Sequence, residues 1–434
     1  MKRLIEKYNL PESILLISSY PEKGVHYSQK VCAVGGFAKN TIEALQEKNN
    51  KAKYVVLTTT FNGKSEIYEE NNVLVIRLFR RNKISSYLPL IKAIFAFNKI
   101  KNVIIEFEFS SWGNTKTTSI FVLIFLLLKL LAKKQVLILH QVITNLTELK
   151  GHLGWKSKDW RSYIYNLFIK AFYLFTVLLN DKIVVTEEIF KRRLTQLAGN
   201  SKKISVIPHG VDTNQDKISK KRSRQILKLP NNKFLILYFG YLGWYKGADL
   251  FLKFARKSSN KNYQFIIAGG PSFSNSDKKH YQKYLKTFKN LPKNLKLTGF
   301  VDEKDIKLYY NAADIVALPY RTMMSSSGPL SLAFTFRKPV LMSNKLIPYI
   351  ESKDFKEALK TSKVNKKDIF FALNSKDFYK KIKNADLNKL RKFSESMRKK
   401  RNYFNIVQKY DPLLFQEKTL KLENWSYLRT INEI

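Results

Sequence analysis

The sequence predicts an α/β protein with two doubly wound domains that face each other across a cleft. Short runs of Val, Ile and Leu alternate with longer helical patterns, which is typical of parallel strands covered on both faces by helices. This alternation occupies the first 208 residues and begins again at residue 234, after a basic segment. At 434 residues the chain is also long for one hydrophobic core, so two domains are expected.

In the first half, seven apolar runs predict strands and four longer patterns predict helices. The strands are ILLIS (14–18), YVVLTT (54–59), VLVIRLF (73–79), VIIEFEF (103–109), QVLILH (135–140), KIVVT (182–186) and KISVIP (203–208). The helices are 37–48, which follows a glycine turn, and 117–132, 161–179 and 187–198.

In the second half, a basic linker at 217–233 precedes another series of strands and helices. The strands are FLILYFG (234–240), YQFIIAGG (263–270), LKLTGF (295–300), DIVALPY (314–320) and KPVLMS (338–343), and the helices are 247–257, 278–288, 304–312 and 329–336. We therefore predict a first domain at 1–212, completed by C-terminal helices at about 405–434, and a second domain at 213–404.

Two apolar segments need a separate interpretation. The segment 119–132 is interrupted by Lys129, and as a helix it would span about 21 Å, which is short of a hydrocarbon core of about 30 Å. The segment 161–179 is aromatic and apolar nearly all round, so it is either a buried core helix or lies at a membrane interface. The polar N-terminal residues show no secretory signal, and we expect a cytoplasmic protein with possible peripheral attachment to the cytoplasmic membrane face.

The charge balance favours anionic partners. Lys and Arg total 78 against 34 Asp and Glu, for a net charge of +44, which attracts nucleic acid, anionic lipid or phosphorylated substrates. The alternative is that the source favours Lys and Asn throughout its proteins, which gives the same net charge without an anionic partner. The chain lacks zinc-finger spacing, a basic region with heptads and an aromatic RNA-binding signature, so specific nucleic-acid binding is not expected. The single cysteine, Cys32, excludes an internal disulfide and a cysteine-rich metal site.

Two strand-end turns suggest an anion site. In GYLGWYKG (240–247), Lys246 stands at a helix N-terminus, a position that suits a lysine which shares the site with a phosphate. In SSSGPLSLAF (325–334), Pro329 fits the first helical position, and the hydroxyls of Ser326 and Ser327 would point at the cleft. A solvated lysine beside a turn and an ordinary helix start are the alternatives.

The order of these motifs resembles retaining glycosyltransferases of the GT-B fold, closest to glycosyltransferase family 4. The resemblance is carried by ISVIPHGVD (204–212), FGYLGWYKG (239–247), IIAGG (266–270), LTGFVDEKDIKLYYNAADIVALPY (297–320) and SSGPLSLAFTFRKPVLMS (326–343), and more loosely by GGFAKNTIEAL (35–45), VLILH (136–140) and NDKIVVTEE (180–188). It implies two Rossmann-like domains, with an NDP-sugar donor in the second and an acceptor in the first, and no cofactor beyond the NDP-sugar co-substrate.

The same resemblance implies roles for individual residues. Lys246 corresponds to a diphosphate-binding lysine, in a motif that begins at Gly240, and the backbone of Phe300 and Val301 to the contact with the base. A strand-end histidine near the transferred sugar corresponds to His140, for which a structural role is the alternative. The donor-phosphate turn corresponds to Ser326, Ser327, Gly328, Pro329 and Leu330, and the glycine turn that closes against the donor to Gly35 and Gly36.

The chain departs from the family at three side chains. The arginine that commonly follows Gly240 is Tyr241, and two glutamates that flank the phosphate turn are Met324 and Leu332. Arg321 could supply positive charge, although a solvated arginine is the alternative. Asp302 is expected to be an ordinary helix N-cap, and Glu106 and Glu108 to be polar groups of the cleft. No Asp-any-Asp motif is present, so we predict no metal.

These observations lead to two main hypotheses. The first is a hexosyltransferase-like enzyme of cell-envelope polysaccharide biosynthesis that transfers a sugar from an NDP-sugar to a glycan or lipid-linked acceptor. The second is a non-catalytic GT-B protein that binds a nucleotide-sugar or glycan as a partner subunit, and it is motivated by the missing side chains.

Overall fold

The computed structural model describes residues 2–30, 34–61, 63–155, 160–213, 215, 218–276 and 278–414. It confirms the predicted fold class, because two α/β domains with mainly parallel sheets face each other. The first sheet has the strand order β3-β4-β2-β1-β5-β6-β7-β8, and every pairing is parallel except that of β3 with β4. Its strands are β1 (Ile14–Ile17), β2 (Tyr54–Thr59), β3 (Glu66–Glu70), β4 (Val73–Phe79), β5 (Asn102–Phe107), β6 (Lys134–Leu139), β7 (Lys182–Val185) and β8 (Ile204–Val206).

Helices cover both faces of the first sheet. The helices are α1 (Lys2–Tyr8), α2 (Val34–Lys48), α3 (Tyr87–Ala96), α4 (Phe109–Trp112), α5 (Thr115–Leu130), α6 (Lys150–Leu153), α7 (Arg161–Leu179) and α8 (Glu188–Ala198). One face packs against α3, α5, α7 and α8, and the opposite face packs against α2. The strand residues alternate between these two cores because successive side chains of a strand point to opposite faces of the sheet.

The second sheet is entirely parallel, with the order β11-β10-β9-β12-β13-β14. Its strands are β9 (Phe234–Phe239), β10 (Tyr263–Ala268), β11 (Leu295–Leu297), β12 (Ile315–Leu318), β13 (Val340–Ser343) and β14 (Phe370–Phe371). The helices from this point to the end of the described chain are α9 (Lys220–Ile226), α10 (Ala248–Lys257), α11 (Lys279–Leu285), α12 (Glu303–Ala312), α13 (Gly328–Thr335), α14 (Lys353–Ser362), α15 (Lys366–Ile369), α16 (Ser375–Lys383), α17 (Leu387–Lys400), α18 (Tyr403–Val407) and α19 (Asp411–Leu414).

After α17 the chain returns to the first domain. Val211 and Asn402 form a parallel bridge, and α18 packs on α2. Ile406, Tyr410 and Leu414 join the core on that face of the first sheet. The predicted helices at 405–434 therefore fall partly on α18 and α19, while residues 415–434 lie outside the described part of the chain.

Three local predictions were wrong. Gly35 and Gly36 lie in the first turn of α2 rather than in a turn before it. The basic linker contains α9, whose Arg224 is buried and donates to the carboxylate of Asp314 and to four backbone carbonyls. The antiparallel edge strand β3, with the sequence EIYEE, was not predicted because three of its five residues are glutamate and it has neither an apolar run nor an apolar alternation.

Candidate functional site

A cavity of about 640 Å³ lies between the two domains. In an open parallel sheet, ligands bind outside the carboxyl ends of the strands where the strand order reverses. Those points lie between β1 and β5 in the first sheet and between β9 and β12 in the second. The segments that follow these four strands all contribute lining residues, among them Phe37, Glu108, Lys246 and Ser326.

Lys246 presents a cation to this cavity from the start of α10. The side chain is partly buried, and its ammonium makes no hydrogen bond or ion pair with another described residue. Burial lowers the pKa of Lys246 to about 8, with a smaller opposing effect from Glu108. Most of the Lys246 side chains therefore still carry their charge at neutral pH, and this charge has no hydrogen bond or ion pair with another described residue, which is what an anion site requires.

The predicted phosphate turn uses most of its polar groups within the protein. The Ser327 hydroxyl accepts from the Leu330 N–H at 3.2 Å and lies 2.8 Å from the Tyr320 hydroxyl, and the Ser327 N–H donates to the Tyr349 hydroxyl at 2.9 Å. The Ser326 hydroxyl donates to Thr186 Oγ1 in the first domain at 2.7 Å. Both hydroxyls are thus bonded within the protein, and of the two residues only Ser326 lines the cavity as expected.

Other groups of the same turn remain directed to the cavity. Gly328 and Pro329 line it, and the Gly328 N–H donates no hydrogen bond within the described residues. Met324 and Leu332, the two positions at which the resemblance would place glutamates, also line the cavity. Met324 packs in an apolar cluster with Ile143, so the wall at this point is apolar.

His140 lines the cavity from the end of β6. Its ring meets Phe37 edge to face at 4.7 Å, and Phe37 lies 4.8 Å from the ring of His209. Among the described residues His140 Nε2 has no hydrogen-bond partner, and it lies 3.5 Å from a carboxylate oxygen of Glu106. Burial raises the pKa of Glu106, although His140 and Ser18 act in the opposite direction.

Glu106 and Glu108 do not play the same part. Glu106 is fully buried, accepts from the Ser18 hydroxyl at 3.1 Å and does not line the cavity. Glu108 follows the end of β5, does line the cavity and raises the pKa of Lys246 across the cleft. Both residues were expected to be polar groups of the cleft, but β5 ends at Phe107, between them, and only Glu108 reaches the cavity.

At two of the predicted glycines, neighbouring atoms approach so closely that a side chain would not fit without movement. A Cβ on Gly36 would lie 2.7 Å from the His26 carbonyl oxygen, and one on Gly240 (φ +116°) would lie 3.2 Å from Pro329 and 3.3 Å from Lys246 Nζ. Gly35, Gly36 and Gly240 do not themselves line the cavity, whereas Val34 and Phe37 do.

Four further predictions fall beside the cavity or outside it. Phe300, Val301 and Leu330 do not line it, and Val301 belongs to the hydrophobic core. Asp302 occupies the N-cap position of α12 but makes no side-chain capping bond. The next residue, Glu303, lines the cavity instead.

Arg321 is not a solvated side chain. Its guanidinium donates to both carboxylate oxygens of Asp249, at 2.7 and 2.6 Å, and to the Trp244 carbonyl at 2.6 Å. It also stacks over the Trp244 ring at 4.9 Å. Arg321 therefore stabilises the loop that carries Lys246 and does not replace a missing cavity cation.

A histidine bridge ties the two domains at the rim of the cavity. His26 Nδ1 lies 2.9 Å from Glu303 on α12, and His26 Nε2 lies 2.6 Å from Glu43 on α2. The Glu303 carboxylate also accepts from the His26 backbone N–H at 2.8 Å. Hydrogen bonds to Glu303 and Glu43 raise the pKa of His26 to about 9, so the ring is a cation at neutral pH.

Sequence reasoning missed several residues of the cavity wall. His209 and Asp212 belong to PHGVD, part of a motif on which the family resemblance rests. No role was assigned to either residue, although the motif pointed to their segment. Burial lowers the pKa of His209 to about 3, which makes the ring neutral at physiological pH. Tyr245 lies in the motif GYLGWYKG without an assigned role, whereas His152 and Tyr403 gave no signal, because only the fold brings their segments to the cavity.

In the described ranges, no group of three or more His, Cys, Asp or Glu side chains is arranged to hold a metal ion. Metal independence stays a prediction.

Comparisons with known proteins agree with this architecture. Residues 219–387 match the family described as Glycosyl transferases group 1. No curated protein sequence matches the chain. Sucrose-phosphate synthase from Thermosynechococcus elongatus superposes with a TM-score of 0.68 at 15% identity and covers 93% of this chain and 98% of its own.

Two further solved structures are similar over almost their whole length. Anabaena HepE in complex with UDP and glucose has a TM-score of 0.62 at 14% identity, and covers 93% of this chain and 99% of its own. The catalytic domain of Arabidopsis thaliana starch synthase IV, bound to ADP and acarbose, has a TM-score of 0.61 at 11% identity and the same coverage. The family match and the shared GT-B fold together support the assignment of the chain as a glycosyltransferase.

Proposed function

We propose that this protein transfers a sugar from an NDP-sugar to a cell-envelope glycan or lipid-linked acceptor, as a retaining, metal-independent enzyme of the family 4 type. The observation that carries the proposal is Lys246. It is a partly buried cation that makes no hydrogen bond or ion pair with another described residue, and it lines a cavity built at the reversal points of two parallel sheets. Structures of similar fold contain UDP-glucose in HepE and ADP in starch synthase IV.

In this proposal the diphosphate of the donor lies between Lys246 and the start of α13. The Gly328 N–H supplies a second donor at a helix N-terminus, where the helix dipole also favours an anion. An anion bound at this point would raise the pKa of Lys246 and hold the ammonium in its charged form.

Catalysis would then depend on stabilising the departing diphosphate. The bond between the sugar anomeric carbon and the diphosphate oxygen breaks, and negative charge grows on that oxygen. The acceptor oxygen forms the new bond on the same face and gives its proton to the departing diphosphate. His140 lines the sugar end of the cavity in this proposal, and no protein nucleophile is required.

The apolar wall at Met324 and Leu332 bears on the choice of donor. A carboxylate at either place would accept hydrogen bonds from ribose or sugar hydroxyls, and neither side chain can do so. We therefore expect weaker discrimination at those hydroxyls than a carboxylate gives, since a site that pairs a hydroxyl rejects analogues that lack it.

A second candidate is a non-catalytic subunit that binds a nucleotide-sugar or glycan. It is favoured by the same two apolar positions and by the hydroxyls of Ser326 and Ser327, which are already bound within the protein. Under this proposal the cavity binds nucleotide without turnover.

The Lys246→Ala variant tests the phosphate assignment. We expect its affinity for UDP, ADP or GDP in calorimetric titration to fall by about 2 kcal/mol, or roughly 30-fold, because a charge-assisted contact is lost. Lys246→Met keeps the apolar stem and should lose a similar amount. Lys253→Ala, an exposed lysine on the same helix, is the matched control and should bind as the wild type does. Unchanged affinity in Lys246→Ala would overturn the assignment.

Turnover separates the two candidates. The wild type is incubated with a panel of NDP-sugars and envelope lipid extract, and release of nucleoside diphosphate is measured. Acceptor-dependent release supports the transferase. Thermal stabilisation by a nucleotide without release from any donor supports the binding subunit.

A further inference from the structure

Three neighbouring helices of the first domain expose an unusual amount of apolar surface. Helices α3, α5 and α7 lie on one face of the sheet, with their inner sides in the core. Of the 20 large hydrophobic side chains that are exposed among the described residues, 13 lie on these helices or at the N-cap of α7. We call this outer surface of α3, α5 and α7 the apolar face.

The pattern on each helix is a stripe rather than a scatter. On α7 the exposed side chains recur at three- and four-residue spacing and include Tyr163, Leu167, Phe168, Leu174, Phe175 and Leu178, which are 45–71% exposed. On α5, Leu123, Leu126 and Leu130 recur in the same way, and α3 adds Leu88 and Phe95. This spacing keeps side chains on one side of a helix, so each helix has an apolar outer side as well as an apolar inner side.

Helix α7 cannot leave the domain without unfolding it. By length and composition it is the one helix in the described ranges that could cross a membrane, with a mean hydropathy of 1.4. However, Phe172, Tyr173 and Val177 are buried in the core, and α7 packs on both α5 and α8. Its outer stripe is therefore available to an apolar partner while the helix stays in place.

The charges on the apolar face are all of one sign. Helices α3, α5 and α7 contain no Asp or Glu. Their charged residues are Lys92, Lys116, Lys129, Arg161 and Lys170, and all five are exposed. Long cationic side chains beside an apolar stripe are the arrangement with which interfacial helices bind anionic lipid.

We propose that the apolar face is a docking surface for an anionic lipid bilayer, on which α7 and α5 lie in the plane of the headgroups. The aromatic and aliphatic stripes enter the boundary between headgroups and acyl chains, and the five cations contact lipid phosphates. A second copy of this chain fits less well, because it would bring two such sets of cations together in a protein of net charge +44. The cytoplasmic leaflet is the anionic one, so this docking sets the cytoplasmic membrane face as the place of action.

The apolar face is also connected to the cavity. Tyr165 and Ile169, on α7, pack with the cluster that contains Ile143 and Met324, and Met324 lines the cavity. The Ile143 N–H donates to the Tyr173 hydroxyl at 3.0 Å. Docking through α7 therefore places the bilayer on the outer side of this helix and the cavity beyond the cluster on its inner side, and a lipid-linked acceptor would arrive from the bilayer.

Vesicle binding tests the proposal with the full chain. Protein is sedimented with vesicles of phosphatidylcholine alone and of phosphatidylcholine mixed with phosphatidylglycerol. We expect binding to the mixed vesicles only, weakened by salt. The triple variant Leu167→Glu/Phe168→Glu/Leu178→Glu should bind at least about tenfold more weakly, since it removes apolar contact and adds anions. Ile226→Glu, an exposed apolar position of the second domain, is the control and should bind as the wild type does.

Three readouts keep the outcome unambiguous. Thermal unfolding checks that the triple variant is folded. Its nucleotide affinity should equal that of the wild type, and this separates a failure of the docking surface from a failure of the proposed function. Equal vesicle binding by the triple variant and the wild type would overturn the docking surface. A wild-type dimer in light scattering that the triple variant converts to a monomer, without vesicle binding, would identify the apolar face as an interface between copies and would also overturn it.

Discussion

At the scale of single residues, the turn that carries Lys246 depends on its neighbour Gly247. Gly247 has φ +72°, and a Cβ at this position would lie 1.9 Å from the carbonyl oxygen of Pro319. No shift of a flexible side chain relieves that contact, because the obstacle is backbone. A glycine is therefore required here both by conformation and by space.

The Gly247→Ala variant should be strongly destabilised. We expect a loss of about 3 kcal/mol or more in the free energy of unfolding, measured by urea denaturation, because backbone must move as well as adopt a strained φ. Gly199→Ala is the matched control. It has φ +82° with open space around it, so strain alone should cost about 1 kcal/mol. Equal losses in the two variants would contradict this account.

The position of a residue at the cavity could be predicted from sequence only where local pattern determines it. Lys246 stands out because a strand end, a glycine turn and a helix start are all local signals. The occupied hydroxyls of Ser326 and Ser327 could not be predicted, because their partners Thr186 and Tyr320 meet them only in the folded chain. The same reason hid the ion pair of Arg321.

At the scale of elements, the His26 bridge joins α2 of the first domain to α12 of the second. The ring is partly exposed, and both of its carboxylate partners come from helices. Because α12 begins at Glu303, the bridge fixes the start of that helix against the rim of the cavity.

The His26 bridge should make stability depend on pH. The pKa of His26 is raised to about 9 in the folded protein, above its ordinary value of 6.5. The contribution of protonated His26 to the free energy of unfolding is therefore fully present below about pH 6.5, and it is lost as the pH rises through about 9. After allowance for solvent, we expect the wild type to lose about 1–2 kcal/mol relative to His26→Gln over this window, measured by urea denaturation at each pH.

Glu303→Gln supplies the comparison for this prediction. This variant removes the hydrogen bond to the Glu303 carboxylate, which is the larger cause of the raised pKa of His26. The pH range over which stability is lost should therefore narrow towards the ordinary histidine pKa. A difference between wild type and His26→Gln that stays constant from neutral to alkaline pH would show that the bridge contributes no charge-dependent stability.

Long apolar runs were predicted better than short or charged elements, although the apolar helix α3 was also missed. The near-continuous apolar runs of β1, β2 and β9 match a parallel sheet that is buried on both faces. Strand β3 has no such run because it lies at the edge of the sheet and exposes Glu66. Helix α9 is short and basic, and its buried residues Ser223 and Arg224 are not distinguished in the sequence from those of a linker.

At the scale of the whole molecule, one buried ion-pair network joins both domains to the returning chain. Arg401 donates to both oxygens of Glu187 in the first domain, at 2.7 and 3.1 Å. It also donates to Asp354 in the second domain at 2.7 Å. Arg401 and Glu187 are almost fully buried, so neither charge has water as an alternative partner.

The Arg401→Met variant should lose roughly 3–5 kcal/mol of stability, because it leaves Glu187 as an unpaired buried charge. Differential scanning calorimetry measures the loss. The double variant Arg401→Met/Glu187→Gln removes that charge and should recover a substantial part of it. A loss below about 1 kcal/mol in the single variant would mean that water or a neighbouring cation replaces Arg401.

The overall architecture was predictable because it depends on many weak signals that agree. Alternating strands and helices over two long stretches indicated two doubly wound domains, and the order of motifs indicated GT-B. The contacts between the domains were not predictable, because residues such as Glu187 and Arg401 are 214 positions apart.

The return of the chain after α17 also bears on synthesis at the ribosome. Strands β1 to β8 emerge first, but the face of that sheet beside α2 is completed only by Ile406, Tyr410 and Leu414. The first domain therefore cannot cover its core until nearly the whole described chain has left the exit tunnel. The usual order, in which an N-terminal domain folds before the next is made, does not apply here. The nascent chain must keep that apolar surface from aggregating while the second domain is translated.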